Sequence, residues 1–276
     1  MTDKSPFITV FTPNYNREKV VHETIESILN QTYGNFEYII IDDGSTDKSW
    51  EIIQKYANKD DRIKPFRNKE NLKIVKTRNE GFKLSSPDAK YFAIIDSDDV
   101  ALSKRLELQV KFLETHPEYG LVGSNKYLID ENSQIIGHRD YPSTDREIKK
   151  VIMRYNPIAQ SCVLLRKKVI DKIGYYDETW QVCQDYDYWL RVGRFWKLRN
   201  LDVPLVKYRV SKEQVKFKSI SDTIKFTYKI QEKALEKYGY SDSVFNKIYR
   251  LLLKLSMVYP KIVNYIYRIR FSHLNL

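Results

Sequence analysis

The sequence predicts an α/β protein built on a mostly parallel sheet that is flanked by helices. Short apolar, β-rich runs recur at residues 7–11, 36–41 and 91–95, and polar turns and helical patterns separate them. Strands that alternate with helices pair in parallel and are covered on both faces. In such open sheets ligands bind beyond the carboxyl ends of the strands, so the polar turns form the candidate site.

The alternation of elements continues through the first hundred residues. Val20, Val21, Ile25, Ile28 and Leu29 recur at helical spacing, which predicts a helix directly after the first strand. The same reasoning predicts a helix over 48–56, a strand over 63–66 and a helix over 74–84.

The rest of the chain is more mixed in pattern. Apolar spacing and turn residues predict a helix over 105–115, a strand pair within 119–137, a helix over 184–195 and a last strand over 203–210. Beyond it we expect two amphipathic helices, over 220–238 and 244–259, the second interrupted by Pro260.

Composition limits the function. The net charge of +11 lies almost wholly in residues 206–276, which carry 15 Lys and Arg against 5 Asp and Glu, whereas the preceding part carries 32 and 31. A nearly neutral body argues against a simple nucleic-acid-binding protein. Cys162 and Cys183 form no CxxC pair, so we expect neither disulfides nor zinc and a cytoplasmic setting. No apolar run of about 18 residues occurs, so neither a membrane span nor a signal peptide is expected.

The sharpest chemical signal is the run Asp96-Ser97-Asp98-Asp99, which directly follows an apolar strand. Carboxylates this close repel one another, and a bound Mg²⁺ or Mn²⁺ with its preference for oxygen ligands would relieve the repulsion. The alternative interpretation is an acidic turn that caps the next helix.

Two further polar turns follow strands. Asp42-Asp43-Gly44-Ser45 is either an ordinary strand-to-helix turn or a nucleobase site, in which the Asp43 carboxylate accepts hydrogen bonds from ring N–H groups. The turn TPNYNR at residues 12–17 is either a plain polar loop or a second part of that site, with Tyr15 stacked on a base and the backbone near Thr12 in contact with it.

The order of the motifs TPNYN, DDGS, TRNEG, DSDD and QDYDYWLR is similar to that of the inverting GT-A glycosyltransferases of the family-two type. The resemblance extends from about Phe7 to Arg209. It implies a GT-A catalytic domain over 1–210, with a nucleotide-binding half of about 1–100 and an acceptor-binding half of about 101–210. The basic helical extension would then occupy 211–276.

The resemblance also implies roles for single residues. Asp43 would contact the base, Asp96 the ribose, and Asp98 a Mn²⁺ or Mg²⁺ ion that bridges the two phosphates. Arg78, in TRNEG, would line the donor pocket. Thr12, Pro13 and Tyr15 would complete the nucleotide-sugar site.

The catalytic base implied by the resemblance is Asp185. Similar enzymes carry a Glu-Asp pair here, whereas this chain has Gln184-Asp185, and Ser211 stands where they often have the histidine of YRxH. The alternative for QDYDYWLR is an amphipathic helix whose first-turn acids favour the helix dipole.

These features predict transfer of a sugar, from a UDP-sugar by the resemblance, to a hydroxyl of a carbohydrate or lipid-linked acceptor in polysaccharide, glycan or glycolipid assembly. One alternative is a sugar-phosphate nucleotidyltransferase, but TPNYNR lacks the glycine-rich loop that such an enzyme needs. An inactive GT-A-like binding protein and a basic nucleic-acid-binding protein are the others. The basic tail either contacts the inner face of a membrane peripherally or packs on the catalytic domain.

Overall fold

The computed structural model describes residues 5–210 and 220–258. One sheet contains nine strands, numbered β1 to β9 in chain order: Ile8–Asn14, Phe36–Asp42, Ile63–Arg67, Tyr91–Ile94, Val100–Ala101, Tyr119–Ile129, Ile135–Arg139, Leu164–Arg166 and Lys197–Arg209. The α-helices of the described ranges are numbered α1 to α9: Val21–Leu29, Ser49–Ala57, Ile74–Lys83, Arg105–Thr115, Asp145–Val151, Lys167–Ile173, Gln184–Gly193, Ile220–Lys237 and Val244–Val258.

The first half of the sheet is parallel, as the sequence predicts. Its strand order is β3-β2-β1-β4, and α1, α2 and α3 connect successive strands. The chain moves outward from β1 to β3 and then returns to the other side of β1, so its direction reverses between β1 and β4. Loops that follow strands at such a reversal diverge and leave a crevice for a ligand.

The second half of the sheet is mixed. Strands β8, β6, β9 and β5 extend it beyond β4, and β7 pairs with β6. Only the β6–β9 pairing is parallel among these described strands, whereas β8, β7 and β5 join in antiparallel fashion. The predicted α/β class is confirmed. The short strands β5 and β8 are absent from the sequence prediction, because two or three residues show no periodicity.

Alternate side chains of the central strands enter two separate cores, as the pleat of a strand requires. Ile8 and Val10 of β1 belong to the core beneath α1, α2 and α4. Phe11, one residue further, belongs to the core beneath α3, α7 and α8. The sheet is therefore the middle of three layers, and its strand ends lie between two walls of helices.

The helix α8 packs on the body of the protein. Its Ile230 and Ala234 are fully buried in the core that contains α7. Lys233 forms an ion pair with Asp177 at 2.7 Å, and Tyr238 donates a hydrogen bond to Asp187 of α7 at 2.7 Å. The packing alternative for the basic tail therefore holds for α8.

The remaining tail features have separate outcomes. Within residues 5–210 and 220–258 no helix combines the length and the apolar character needed to cross a membrane. The departure at Ser211 and the predicted interruption at Pro260 lie outside the described residues. The domain boundary at 210 stays a prediction.

Candidate active site

Strand register brings two of the predicted loops together. Asn14 ends β1 and pairs with Asp42 at the end of β2, and its side-chain amide donates to Asp42 Oδ1 at 2.9 Å. The backbone N–H of Asn16 donates to the Ser45 hydroxyl at 2.9 Å. These contacts join TPNYNR and DDGSTD into one rim at the carboxyl edge of the sheet.

The predicted residues of the first loop lie in different surroundings. Thr12 and Pro13 are buried within β1, and Thr12 Oγ1 shares a hydrogen bond of 2.9 Å with the Tyr38 hydroxyl. Tyr15 lies beyond the strand and is 42% exposed. Its ring is therefore free to stack on a ligand, whereas the Thr12 side chain is committed to the core.

Asp43 anchors the loop that follows β3. Its carboxylate is 4% exposed and accepts hydrogen bonds from the Asn68 side chain at 2.7 Å and from the backbone N–H groups of Leu72 and Lys73 at 2.9 and 3.0 Å. Gly44 has a φ of +72°, and a Cβ there would lie 2.9 Å from the Glu70 carbonyl carbon. The loop therefore packs directly over the DDGSTD turn.

Two arginines form ion pairs with two of the three DSDD carboxylates. Asp96 pairs with Arg78 of α3 at 2.5 Å, and the Arg78 side chain is only 5% exposed. Asp98 pairs with Arg17 of the first loop at 3.4 Å. The loops that follow β1 and β4 are thus bridged across the crevice between these strands.

The last carboxylate of the run, Asp99, connects the DSDD loop to β9. It is fully buried and accepts a hydrogen bond from the Arg209 backbone N–H at 2.9 Å, while Arg209 Nε donates to the Asp98 carbonyl at 3.0 Å. These bonds tie the end of β9 to the DSDD loop.

The crowded carboxylates favour a cation. Burial and then the charge of Asp96 raise the pKa of Asp98. Burial and then the charges of Asp98 and Asp96 raise the pKa of Asp99 to about 8. A divalent cation relieves such repulsion, and the all-oxygen donors suit Mg²⁺ or Mn²⁺.

The number of protein ligands limits the kind of metal site. In the part of the chain that the structure describes, no three His, Cys, Asp or Glu side chains come together as a metal-binding group. Mg²⁺ is commonly held by one or two carboxylates together with the phosphates of a substrate. The DSDD loop fits a metal shared in that way and not a closed protein cage.

Asp185 lies in the first turn of α7 and accepts a hydrogen bond from a side chain elsewhere in the fold. The Asn156 amide donates to Asp185 Oδ2 at 2.8 Å, and the Ile158 backbone N–H in turn donates to Asn156 Oδ1 at 3.2 Å. The second bond fixes which end of the Asn156 amide faces Asp185. Gln184 is 7% exposed, and the amide bonded to Asp185 is that of Asn156.

Asp185 and Asp96 act on the same arginine. Burial opposes the charged form of Arg78, yet the charge and hydrogen bond of Asp96, with the charge of Asp185, raise its pKa. A hydrogen-bonded connection joins the two motifs, although 89 positions separate Asp96 from Asp185 in the sequence: the Asn156 amide donates to Asp185, and the Asp96 backbone N–H donates to the Ser161 hydroxyl at 3.2 Å. The structure thus brings the start of α7 to the DSDD side of the crevice.

Sequence reasoning missed Lys126 of β6. Lys126 is 5% exposed, its ammonium lies 3.4 Å from the centroid of the Tyr208 ring, and no hydrogen bond or ion pair to it occurs within the described ranges. Burial lowers the pKa of Lys126, and the nearby Cys162, Asp99 and Asp96 oppose that effect. A single lysine within a strand belongs to no motif, so the sequence did not indicate that Lys126 lies near the site. Arg17, which pairs with Asp98, lies within TPNYNR, a motif that the sequence analysis had already identified.

The strand order and the carboxylates gathered at the switch point define the class of the protein, an α/β fold of the GT-A type. The model of Glycosyl transferase family 2 matches residues 9–174, more than half of the chain. The protein belongs to this family and is a glycosyltransferase.

Curated relatives agree with this assignment. The chain is 36% identical over 209 residues to an uncharacterized glycosyltransferase of Methanocaldococcus jannaschii, with coverage of 74% of this chain and 71% of the relative. It is 32% identical to the UDP-Glc:alpha-D-GlcNAc-diphosphoundecaprenol beta-1,3-glucosyltransferase WfaP of Escherichia coli, with coverage of 77% and 82%.

Solved structures share the fold. The S. aureus protein TarS in complex with UDP has a TM-score of 0.66 at 20% identity, over 85% of this chain and 67% of TarS. The mannosyltransferase PcManGT of Pyrobaculum calidifontis, in complex with GDP-Man and Mn²⁺, has a TM-score of 0.64 at 16% identity, over 92% and 70%. At these identities the likeness concerns the fold alone.

Proposed function

We propose that this protein is an inverting, metal-dependent glycosyltransferase that moves a sugar from a nucleotide diphosphate donor, UDP-linked in our proposal, onto an acceptor hydroxyl. The observation that supports it most is that the segment 156–161 contacts both motifs. The Asn156 amide donates to Asp185 Oδ2 at 2.8 Å, and the Asp96 backbone N–H donates to the Ser161 hydroxyl at 3.2 Å. A donor-binding loop and a base must both face the bound donor, and this segment holds the two together.

The donor would lie across the crevice between β1 and β4. Tyr15 would stack on the base, with Thr12 and Pro13 contributing backbone contacts at the strand end. Asp43 would accept a hydrogen bond from the base, and Asp96 would bind the ribose. Arg78, fixed by Asp96, would line the pocket near the diphosphate.

Asp98 would hold a Mn²⁺ or Mg²⁺ ion together with phosphate oxygens of the donor. Such an ion offsets the negative charge that develops on the departing diphosphate. Arg17, already paired with Asp98, would keep that carboxylate ionised and oriented toward the crevice. The PcManGT complex, which contains Mn²⁺, supports this choice of ion for the fold.

Asp185 would accept the proton of the acceptor hydroxyl as the oxygen attacks the anomeric carbon from the face opposite the nucleotide. A carboxylate with a reference pKa near 3.9 is a weak base toward an alcohol, so the proton moves late, when the oxygen has already lost electron density to carbon. Asn156 would hold the carboxylate in one orientation through its amide.

The acceptor would be a carbohydrate or a lipid-linked sugar, and the setting cytoplasmic at the inner face of a membrane. WfaP, whose name gives a UDP-Glc donor and a diphosphoundecaprenol-linked acceptor, supports this class of substrates and a role in glycan or glycolipid assembly. The UDP-Glc donor in the name of WfaP also supports the uridine nucleotide.

A thermal-shift panel tests the donor class. Nucleoside diphosphates and nucleotide sugars are added with and without Mn²⁺. A ligand at about 100 times its Kd stabilises by about 2.7 kcal/mol, so UDP with Mn²⁺ should raise Tm by about 5 °C. If none of the nucleotides raises Tm, either with or without Mn²⁺, the proposal is refuted.

Hydrolysis of the bound donor in the absence of acceptor distinguishes an enzyme from an inactive binding protein. The neutral Gln184 in place of glutamate is the feature that motivates this second measurement. If wild type releases more free sugar than the Asp185→Asn variant does, the protein is an active enzyme.

A further inference from the structure

The helix α9 turns an apolar surface toward solvent. Six large apolar side chains are 49–77% exposed, and we call them the apolar stripe: Val244, Phe245, Ile248, Leu251, Leu252 and Leu255. At about 100° per residue they occupy one arc of roughly 120° on the helix. An exposed patch of this kind marks an interaction site.

Polar contacts on the other side fix this orientation. Arg250 pairs with Asp242 at 2.5 Å and with Glu232 of α8, and its side chain is 16% exposed. Asn246, also opposite the stripe, is 7% exposed. A helix that merely completes a soluble fold buries its apolar face. Here the polar face is turned inward, so the stripe is presented outward.

Charge identifies the partner. The sequence of α9 contains three cations and no Asp or Glu, and Lys247 and Lys254 are exposed along one edge of the stripe. A second copy would bring two cationic regions together, since residues 206–276 carry 15 Lys and Arg against 5 acids. Residues 259–276 add three cations and no acids, so their charge has the same sign. An anionic lipid surface is complementary in both respects.

We propose that α9 is a membrane-surface helix, in which the apolar stripe enters the headgroup boundary of an anionic bilayer and the two lysines contact lipid phosphates. The proposal goes beyond the sugar transfer and does not depend on it. Sequence patterning treats α8 and α9 alike, whereas the structure assigns this contact to α9.

Vesicle flotation of the full chain tests the stripe. Wild type should float with vesicles of 30% phosphatidylglycerol in phosphatidylcholine, and the double variant Phe245→Ser/Leu252→Ser should remain in the dense fraction. Both side chains are exposed, so the variant should keep the wild-type Tm. The matched control is Ile135→Ser/Ile136→Ser, which removes two exposed apolar side chains from β7 and should float as wild type does.

A second pair of variants tests the charge. A lysine at an anionic surface contributes about fivefold in partitioning, so Lys247→Gln/Lys254→Gln should weaken binding to the anionic vesicles by roughly 25-fold. Lys104→Gln/Lys111→Gln removes two exposed cations near α4 and serves as the charge-matched control. Vesicles of phosphatidylcholine alone should recover little of any variant.

Three results would overturn the proposal. The wild type stays dense with anionic vesicles, or the stripe variant floats as well as wild type. In the third, light scattering shows a dimer that the stripe substitutions convert to a monomer without any vesicle binding, which would assign the stripe to a second copy of the chain. Flotation uses no donor, so these outcomes are independent of the proposed reaction.

Discussion

Replacing Asn156 with alanine should move the acid limb of the pH–rate profile to higher pH. The Asn156 amide donates one hydrogen bond of 2.8 Å to Asp185 Oδ2. A hydrogen bond to a charged group contributes about 1.5–3 kcal/mol, and about 1.4 kcal/mol corresponds to one pH unit. Loss of this donor disfavours the ionised carboxylate, so we expect the acid limb to move to higher pH by about one to two pH units.

The isosteric change Asn156→Asp provides a second test of the same hydrogen bond. It keeps an acceptor for the Ile158 N–H but places a second carboxylate against Asp185. Because like charges oppose ionisation, the limb should rise further than in Asn156→Ala. Asn132→Ala, which changes an exposed turn residue 24 positions before Asn156, is the control and should keep the wild-type profile.

The assay is kcat/KM for the transferred sugar between about pH 3.5 and 8, a range that includes the reference pKa near 3.9 of a carboxylate. Thermal unfolding at each pH shows whether the variants are folded. Loss of the same fraction of activity at every pH in both Asn156 variants would contradict this prediction. A constant fractional loss would mean that the amide supports the fold without affecting a titrating base.

Three other changes have defined outcomes. Gly44→Ala should lower stability by about 2 kcal/mol and weaken donor binding, because φ is +72° and the new Cβ would meet the Glu70 carbonyl carbon at 2.9 Å. Asp177→Asn should cost about 1 kcal/mol at pH 7 by denaturant unfolding, after allowance for partial exposure. Burial opposes ionisation there, but hydrogen bonds from Lys233 and Thr179 lower the pKa of Asp177 to about 2. That contribution is present above about pH 4 and should vanish as the pH falls toward 2. Asp98→Ala should abolish the dependence of calorimetric UDP binding on Mn²⁺.

Each change has a result that would contradict it. Gly239 has a φ of +75°, and no atom of the described residues lies within 4 Å of its Cβ position, so Gly239→Ala should spare donor binding. Equal losses of donor binding in the two variants would refute the contact with Glu70. Asp171→Asn removes an exposed pair with Lys167 and should cost less than Asp177→Asn. Unchanged Mn²⁺ dependence in Asp98→Ala would mean that another group binds the ion.

The parallel half of the fold could be predicted because β1, β2 and β4 are mostly apolar and buried, and helices separate the strands regularly. The crowded carboxylates of DSDD were also visible in the sequence, since their repulsion requires an explanation wherever the loop lies. The short strands β5 and β8 were not predictable, because their few residues form strands only through pairing with β9, β4 and β6.

The support of Asp185 could not be predicted from its neighbours. The Gln184-Asp185 departure drew attention to the adjacent amide, whereas the structure supplies the amide of Asn156, 29 positions earlier. Lys126 is a similar case, because its burial arises only when β6, β9 and the DSDD loop come together. Such contacts depend on tertiary structure, and local patterns carry no trace of them.

In the basic extension, too, the sequence could not show which surfaces of the helices are buried. Periodicity predicts that both helices are amphipathic, but it does not reveal which face meets the body. In α8 the apolar face is buried beside α7, and in α9 the Arg250 ion pairs turn the polar face inward. Two helices with similar patterns therefore have opposite orientations.

The most direct test of the account is the Asp185→Asn variant, measured both for sugar transfer and for calorimetric donor binding. Removal of the base should lower turnover by about two to four orders of magnitude, while donor affinity stays within about twofold of wild type. Turnover within a few-fold of wild type would contradict the central claim that Asp185 accepts the acceptor proton.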